Sequence, residues 1–318
     1  MAPTILIIGA TGNTGRSVTE TLPSLLQSTN ALPEHHRVIA LTRSSASPVA
    51  QQLAKIPGIE LIEKNWVDIT SGWLREHQVV RAFIASHNEP NQFAEESAFY
   101  VAALNAGVQY VVRIATTAAN ALLSSPEFAA LQWTSLQPNI FSQYYLSSAA
   151  EWINQYRHRK LEEYGGSSSV EPLKLLASGD APVAIVDSSD VGVFAAHLLS
   201  QRDPAVHNKA SYVLNGPEDI TDRQIVDMVE QRIGARVEGE QVSFQDVSLV
   251  DSLLHEHNHG ANHASKSVIL SLKYALETAW EGKCSASTTS QKVLEIAPPR
   301  RTPAEVLETL LKDSKIGV

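Results

Sequence analysis

Three glycines follow the first apolar segment of the chain at intervals of three residues. The apolar segment Thr4–Ile8 leads directly into Gly9-Ala-Thr-Gly12-Asn-Thr-Gly15, and helical spacing of apolar residues follows over residues 14–26. A strand, a glycine turn and a helix in this order are typical of the first βα unit of a dinucleotide-binding fold. In such a unit Gly9 allows the tight turn, Gly12 lets the backbone approach a pyrophosphate, and Gly15 permits close packing of helix and strand.

The helix that follows this loop is expected to offer unpaired N–H groups and the positive end of its dipole to a phosphate. No Gly-Lys-Ser or Gly-Lys-Thr sequence follows the loop, which excludes a P-loop. A glycine turn with a purely structural role is the alternative. The sequence therefore predicts a dinucleotide site at the start of the chain.

The first half of the chain alternates short apolar runs with amphipathic stretches. This alternation indicates βαβ units, and hence an α/β fold with a Rossmann doubly wound parallel sheet. The strand-like runs are residues 4–8, 37–42, 58–64, 79–85, 110–115 and 133–137. Alternation is looser beyond residue 145, where we expect a smaller C-terminal α/β lobe. The predicted domains are residues 1–145, the nucleotide-binding domain, and 146–318, which forms the lobe or returns to the sheet within it.

The residues after the second strand choose between the two nicotinamide dinucleotides. A carboxylate at this point would bind the ribose 2′-hydroxyl and repel a 2′-phosphate. This chain has Thr42-Arg43-Ser44-Ser45 instead. Arg43 can pair with the phosphate, and the serines can donate hydrogen bonds to its oxygens. The expected cofactor is NADP(H), with a simply exposed basic residue at position 43 as the alternative.

Several stretches, in this order along residues 4–245, resemble the NmrA-like family of atypical short-chain dehydrogenases, which is known mostly from fungi. The glycine loop is the most specific of them. The stretches are Ile8-Gly-Ala-Thr-Gly-Asn-Thr-Gly15, Leu41-Thr-Arg-Ser44, Ala106-Gly-Val-Gln-Tyr-Val-Val-Arg113, Leu136-Gln-Pro-Asn-Ile-Phe141 and Ser189-Asp-Val-Gly-Val-Phe-Ala-Ala196. The family contains NADP(H)-dependent reductases as well as regulators that bind NADP(H) without turnover.

The resemblance implies a role for residues at five strand ends. It assigns the pyrophosphate to the glycine loop, namely to Gly9, Thr11, Gly12, Asn13, Thr14 and Gly15. It assigns the 2′-phosphate to Arg43 and Ser44, and the ribose to Ala85, Ser86 and His87. Pro138, Asn139 and Phe141 would form the wall beside the nicotinamide. Family enzymes also place a hydroxyl near the reacting carbon, which here implies Thr116.

The chain lacks the usual catalytic pair of short-chain dehydrogenases at the expected position. Short-chain dehydrogenases usually donate a proton from a Tyr that has a Lys four residues later on the same helix face. The segment expected to hold this pair, residues 116–132, contains no Tyr, Lys or His and is short for the family. A Tyr-x-x-x-Lys pattern at Tyr156 and Lys160 lies too far along the chain and among basic residues. The remaining catalytic candidates are Thr116, with turn formation as its alternative, and His87.

Other reactive residue types have simpler explanations. Cys284 is the single cysteine, cannot form an internal disulfide and fits a reducing compartment. The histidines at 255, 257, 259 and 263 match no common zinc spacing, and the Asn and Gly residues between them favour a loop. We therefore expect no metal site, and we expect loops over residues 162–171 and 255–263.

Charge and hydropathy limit the kinds of partner that this chain is expected to bind. The net charge of −9 argues against non-specific binding to nucleic acid, and no apolar run is long enough for a membrane span. The N-terminus reads as a buried strand and not as a signal peptide. We expect a cytoplasmic NADPH-dependent oxidoreductase that reduces a small organic carbonyl or conjugated double bond, a secondary metabolite by family resemblance. The alternatives are a non-catalytic NADP(H) sensor that binds another protein, and a shortened product without function.

Overall fold

The computed structural model describes residues 2–28, 32, 35–114, 117–161, 171–260 and 263–313. Its strands are β1 Thr4–Ile8, β2 Arg37–Thr42, β3 Ile59–Glu63, β4 Val79–Ile84, β5 Tyr110–Ile114, β6 Gln132–Pro138, β7 Leu173–Lys174, β8 Ala210–Leu214 and β9 Val242–Ser243. Its helices are α1 Asn13–Leu26, α2 Pro48–Leu53, α3 Ser71–Glu76, α4 Gln92–Ala106, α5 Thr117–Leu123, α6 Ser142–Tyr145, α7 Ser147–Leu161, α8 Ser188–Ser200, α9 Asp222–Ile233, α10 Ser248–Asn258, α11 Lys266–Trp280, α12 Gln291–Ile296 and α13 Pro303–Asp313. No helix in these ranges is long and apolar enough to cross a bilayer.

A seven-stranded sheet in the order β3-β2-β1-β4-β5-β6-β8 forms the centre of the fold. Every neighbouring pair is parallel, which confirms the predicted doubly wound α/β sheet. The order reverses between β1 and β4, and ligands bind beyond the carboxyl ends of the strands at such a switch point. All five residues of β1 are buried, as expected for a central strand that helices cover on both faces.

The sequence did not determine how two segments connect to this sheet. The short segment 115–131 is long enough, because β5 and β6 pair in parallel register from Tyr110 with Gln132 to Ile114 with Leu136. Strand β8 pairs in parallel with β6, so the chain returns to the main sheet within the predicted lobe, one of the two arrangements left open above. The helix before it, α8, packs closely on α1, since a Cβ at Gly192 would lie 2.5 Å from the carbonyl oxygen of Thr14.

The chain divides into two interleaved compact units. Unit 1 comprises Met1–Pro138, Ser188–Leu214 and Ser290–Pro298, and unit 2 comprises Asn139–Asp187, Asn215–Thr289 and Pro299–Val318. A single boundary at residue 145 does not describe this arrangement, because unit 1 takes up three separate segments of the chain. Unit 1 holds the seven-stranded sheet and therefore the glycine loop.

Unit 2 has a helical core beside a small parallel sheet. Strands β7 and β9 pair over two residues each, and apolar residues from α7, α9 and α13, such as Ile153, Val229 and Leu307, share one buried cluster. The loop predicted over 255–263 is wrong at its start, because α10 continues through Asn258. Leu253 and Leu254 of that helix pack on the same cluster, so tertiary contacts stabilise a helix where the polar sequence favoured a loop.

A buried carboxylate lies at the start of α9. Asp222 is 1% exposed, and it accepts hydrogen bonds of 2.8 Å from the Tyr145 hydroxyl and from the backbone N–H of Ala177. Burial disfavours the charged form and raises the pKa of Asp222 to about 6. The folded state therefore holds a proton on this side chain at pH values where the unfolded chain has lost it.

Asp222→Asn is expected to change the pH dependence of stability in a defined direction. The raised pKa stabilises the native state below pH 4, and this contribution of about 2–3 kcal/mol is lost as the pH rises through about 6. The stability of the wild type relative to the variant should therefore fall between pH 4 and pH 7. Urea unfolding of both proteins across this range measures the difference, with Asp227→Asn on the exposed face of α9 as the control. A constant difference would contradict the prediction.

Candidate functional site

Gly9 begins the turn between β1 and α1 in a conformation that other residues rarely adopt. Its φ is +80°, and a Cβ built on it would lie 2.6 Å from the carbonyl oxygen of Ala85, which follows β4. A side chain at this position would therefore combine left-handed strain with a backbone overlap. The glycine lets the turn lie directly against the end of the neighbouring strand.

The other two glycines bring the start of α1 close to this turn. The N–H of Gly12 donates to the Gly9 carbonyl over 3.0 Å, and a Cβ at Gly15 would lie 2.1 Å from that same oxygen. Gly12 is the N-cap of α1, and among the residues that the structure describes no side chain caps the helix. The first turn of a helix has N–H groups without intrahelical partners, so an uncapped N-terminus can bind an anion.

The side chains of the loop differ in their exposure. Asn13 is exposed beside Gly12, and Thr11 is half-buried. Thr14 is only 4% exposed and lies at the contact of α1 with α8, where its carbonyl oxygen faces Gly192. Of the loop side chains assigned by the family resemblance, Asn13 is the one most open to a ligand.

The end of β2 forms a small hydrogen-bonded turn. The Thr42 hydroxyl accepts from the N–H of Ser44 over 3.1 Å and donates to its carbonyl over 3.0 Å. Arg43 and Ser44 are exposed, and Arg43 makes no hydrogen bond or ion pair with the described residues. The guanidinium is therefore available to an anionic ligand at this strand end.

Glu63 is a neighbour of this turn that sequence reasoning missed. It ends β3 opposite Thr42, and its carboxylate accepts hydrogen bonds from the N–H and the hydroxyl of Ser45 over 2.8 and 2.5 Å. These two bonds favour the charged form and hold the pKa of Glu63 below its usual value. The strand prediction over 58–64 contained the signal, since residues that end adjacent parallel strands lie side by side.

The loop after β4 contains Ala85, Ser86 and His87, all half-buried. The Nε2 atom of His87 lies 2.6 Å from a carboxylate oxygen of Glu95, and its Nδ1 atom accepts from the N–H of Glu89 over 3.1 Å. Both ring nitrogens are thus bound within the loop and the start of α4. His87 would have to leave Glu95 before it could give a proton to a substrate.

A buried ion pair lies beneath this loop. The Arg113 side chain of β5 is fully buried, and its Nη2 atom is 2.9 Å from a carboxylate oxygen of Glu96 in α4. The hydroxyl of Tyr100 accepts from Arg113 Nε over 2.9 Å and donates to Glu96 over 2.9 Å. The other Glu96 oxygen accepts from the Ser86 hydroxyl. The sequence offered a signal in the charged residue within the apolar run YVVRI, since a buried charge needs a partner.

The residues predicted to follow β6 fall in different units. Pro138 ends β6 in unit 1, whereas Asn139 and Phe141 belong to unit 2. Within unit 2 the Asn139 amide donates to the carbonyl oxygens of Ala184 over 2.8 Å and Cys284 over 3.1 Å, and its oxygen accepts from the Ile140 N–H. Asn139 therefore joins three segments of its own unit.

The other residues singled out from the sequence lie in unit 2 or outside the described residues. Thr116 lies outside the described residues. Tyr156, in α7 of unit 2, stacks on Trp152 with the ring centroids 5.6 Å apart. Burial raises the pKa of the Cys284 thiol, which disfavours the reactive thiolate. Among the described residues, no group of three or more His, Cys, Asp or Glu side chains could hold a metal ion.

The parallel sheet, the glycine turn at its switch point and the uncapped α1 define a Rossmann-type α/β protein. The model of the NmrA-like family matches residues 1–130 of this chain, which include the glycine turn. No curated protein matches the chain by sequence.

Solved structures extend the similarity of fold to nearly the whole chain. The NADPH-dependent quinone oxidoreductase of Escherichia coli, crystallised with NADPH, is 22% identical to this chain. The match covers 96% of this chain and 99% of the oxidoreductase chain, with a TM-score of 0.64. The triphenylmethane reductase of Citrobacter sp., complexed with NADP(H), is 16% identical, with coverages of 96% and 100% and a TM-score of 0.64. NmrA, a negative transcriptional regulator in complex with NADP, is 15% identical, with coverages of 99% and 97% and a TM-score of 0.58. At these identities the likeness concerns the fold.

Proposed function

We propose that this protein binds NADP(H) at the turn between β1 and α1 and uses it to reduce a small organic carbonyl or conjugated double bond. The observation that carries the proposal is the uncapped N-terminus of α1, held against Gly9 by the close approach of Gly15. Free N–H groups at a helix start suit a pyrophosphate, and no side chain within the described residues accepts a hydrogen bond from them. The two reductases and the regulator with this fold were each crystallised with NADP(H).

The proposed contacts follow the strand ends of unit 1. The backbone of the glycine loop, with Thr11, Asn13 and Thr14, would hold the pyrophosphate. Arg43 and Ser44 would hold the 2′-phosphate, because both are exposed at the end of β2. Ala85 and Ser86 would lie along the ribose. Pro138, Asn139 and Phe141 would form the wall beside the nicotinamide, as the family resemblance implies.

The reduced nicotinamide supplies a hydride from its C4 atom, and the protein supplies position. Thr116 is the proposed group that orients the substrate oxygen, and His87 is the alternative once it is released from Glu95. Residues 116–132 contain no Tyr, Lys or His. The proton that completes the reduction is therefore proposed to come from water.

A non-catalytic NADP(H) sensor is the second candidate function. It is favoured by two features: the missing Tyr and Lys between β5 and β6, and the engagement of both His87 nitrogens. A sensor would need different affinities for NADP⁺ and NADPH, because only a difference in affinity can shift a conformational equilibrium. It would also need a protein partner, whereas the reductase needs only a small molecule.

Two further points belong to the proposal. The single cysteine favours the cytoplasm, where thiols stay reduced. We also propose, from the family resemblance, that the substrate is a secondary metabolite.

The experiment combines calorimetric titration with a turnover assay. The purified protein is titrated with NADPH, NADP⁺ and NADH, and the loss of NADPH absorbance is then followed with quinones, triphenylmethane dyes and small conjugated carbonyls. Binding with NADPH oxidation supports the reductase. Binding with unequal affinities for NADPH and NADP⁺ and no oxidation supports the sensor. A folded protein that binds none of the three nucleotides would overturn both.

A further inference from the structure

We propose that the buried Glu96–Arg113 ion pair is a positioning device that sets the loop after β4 for the nucleotide. The proposal rests on the NADP(H) site proposed above, and assigns the preorganisation of Ser86, which would lie along the ribose, to neighbouring residues that are not proposed to touch the nucleotide. We call the set the Arg113 cluster; its members are Ser86, Gln92, Glu96, Tyr100, Arg113 and Asn120.

The geometry makes Arg113 the centre of this cluster. Its guanidinium reaches Glu96 and Tyr100 in α4, and its Nη1 atom donates to the Asn120 side chain in α5 over 2.7 Å. One side chain of β5 thus fixes the helix before the strand and the helix after it. Helix α5 lies in the short connection from β5 to β6. The cluster therefore holds in place the segment that lacks the Tyr and Lys usual in short-chain dehydrogenases.

Glu96 connects Arg113 to the loop after β4. One oxygen faces Arg113 and Tyr100, and the other accepts from the Ser86 hydroxyl and from Gln92 Nε2 over 3.2 Å. Gln92 also donates to the Ser86 hydroxyl over 2.8 Å. Ser86 follows Ala85, whose carbonyl oxygen leaves no room for a Cβ at Gly9. The buried charge pair therefore fixes the residue next to the point where the β4 loop meets the glycine turn.

Stability alone does not account for such a pair. Well-packed apolar residues of similar volume often replace a buried ion pair with no loss of stability, because removing two charges from water is costly. Unit 1 contains a comparison in Arg81 of β4, also buried, which donates to the carbonyl oxygens of Leu199 and Gln201 near the end of α8. Arg81 caps a helix without contacting the β4 loop, so it serves as the structural control.

The test uses a triple variant, Glu96→Leu/Tyr100→Phe/Arg113→Met. This variant separates the effect of the ion pair on the position of Ser86 from its effect on protein stability. It replaces the ion pair and the hydroxyl between its partners by apolar groups and leaves Ser86 in place. We expect the triple variant to recover most of the stability that Arg113→Met alone loses. We expect its NADPH dissociation constant to remain raised about tenfold, because Ser86 has lost the acceptor that fixed it. Arg81→Met is expected to lose stability and to bind NADPH within about twofold of the wild type.

Hydrogen exchange without nucleotide gives a readout that does not depend on binding. The amides of residues 85–89 and 117–123 should exchange faster in the triple variant, and those of residues 198–203 in Arg81→Met. Should the triple variant fail to fold, Glu96→Gln keeps the shape of the side chain and is expected to weaken NADPH binding in the same direction.

The outcomes separate this inference from the proposed function. A wild-type protein that binds no NADPH overturns the proposed function. Wild-type binding together with equally tight binding by a stable triple variant overturns the positioning role alone. Weak binding by Arg81→Met as well would also overturn it, because the loss would then follow stability.

Discussion

Gly15→Ala is expected to weaken NADPH binding about a hundredfold, the equivalent of about 3 kcal/mol. The added Cβ would lie 2.1 Å from the carbonyl oxygen of Gly9 and 2.7 Å from its carbonyl carbon. Backbone atoms cannot turn away as a side chain can, so the start of α1 must move off the turn. The N–H groups proposed to hold the pyrophosphate move with it. Calorimetric titration with NADPH, at a temperature where both proteins are folded, measures the loss.

Gly72→Ala is the matched control for this substitution. Gly72 is also a helical glycine, in α3, but the nearest atom to its added Cβ is the Thr70 hydroxyl at 3.7 Å. Alanine in an unobstructed helix position is favoured over glycine by about 0.5–1 kcal/mol, so this variant should be at least as stable as the wild type. It should also bind NADPH normally. Wild-type affinity in Gly15→Ala would mean that the helix start does not hold the phosphates.

The central strands could be predicted from the sequence because burial on both faces leaves a continuous apolar run. The bounds predicted for β1 and β2 agree with the structure, and those of the other main-sheet strands differ at their ends. The helix that begins after Thr221 was also predictable, because the capping box of Thr221 and Gln224 is a local signal. These features depend on residues close together in the chain.

Features that depend on distant residues could not be predicted in the same way. The apolar pattern of β8 does not predict which strand it pairs with. Its partner β6 lies more than seventy positions earlier in the chain. Arg113 and Glu96 are each visible as charged residues, but their pairing depends on how α4 packs on the sheet. The helix over residues 255–258 depends likewise on the core beneath Leu253 and Leu254. The candidate site was therefore predictable in its glycine loop and not in the groups that support it.

Arg43→Ala is expected to weaken NADPH binding about ten- to a hundredfold and to leave NADH binding unchanged. A charge-assisted hydrogen bond contributes about 1.5–3 kcal/mol, and only NADPH carries the 2′-phosphate that would receive it. Arg43→Lys should fall between the two, because a lysine keeps the charge but not the planar fork of donors. Titration of all three proteins with both nucleotides measures the preference. Arg202→Ala, which removes an exposed arginine after the end of α8, controls for the change in net charge.

Ionic strength provides an independent check on the role of Arg43. The side chain is exposed, so its attraction for a phosphate is screened by salt, whose Debye length falls from about 30 Å at 0.01 M to about 10 Å at 0.1 M. The preference of the wild type for NADPH over NADH should therefore shrink as salt is added. In Arg43→Ala the preference for NADPH should no longer shrink with salt, because the attraction that salt screens is gone and the nearby Glu63 carboxylate, held in its charged form by Ser45, can only repel a phosphate. An equal loss of NADPH and NADH affinity in this variant would show that Arg43 supports the fold of the turn and does not bind the 2′-phosphate.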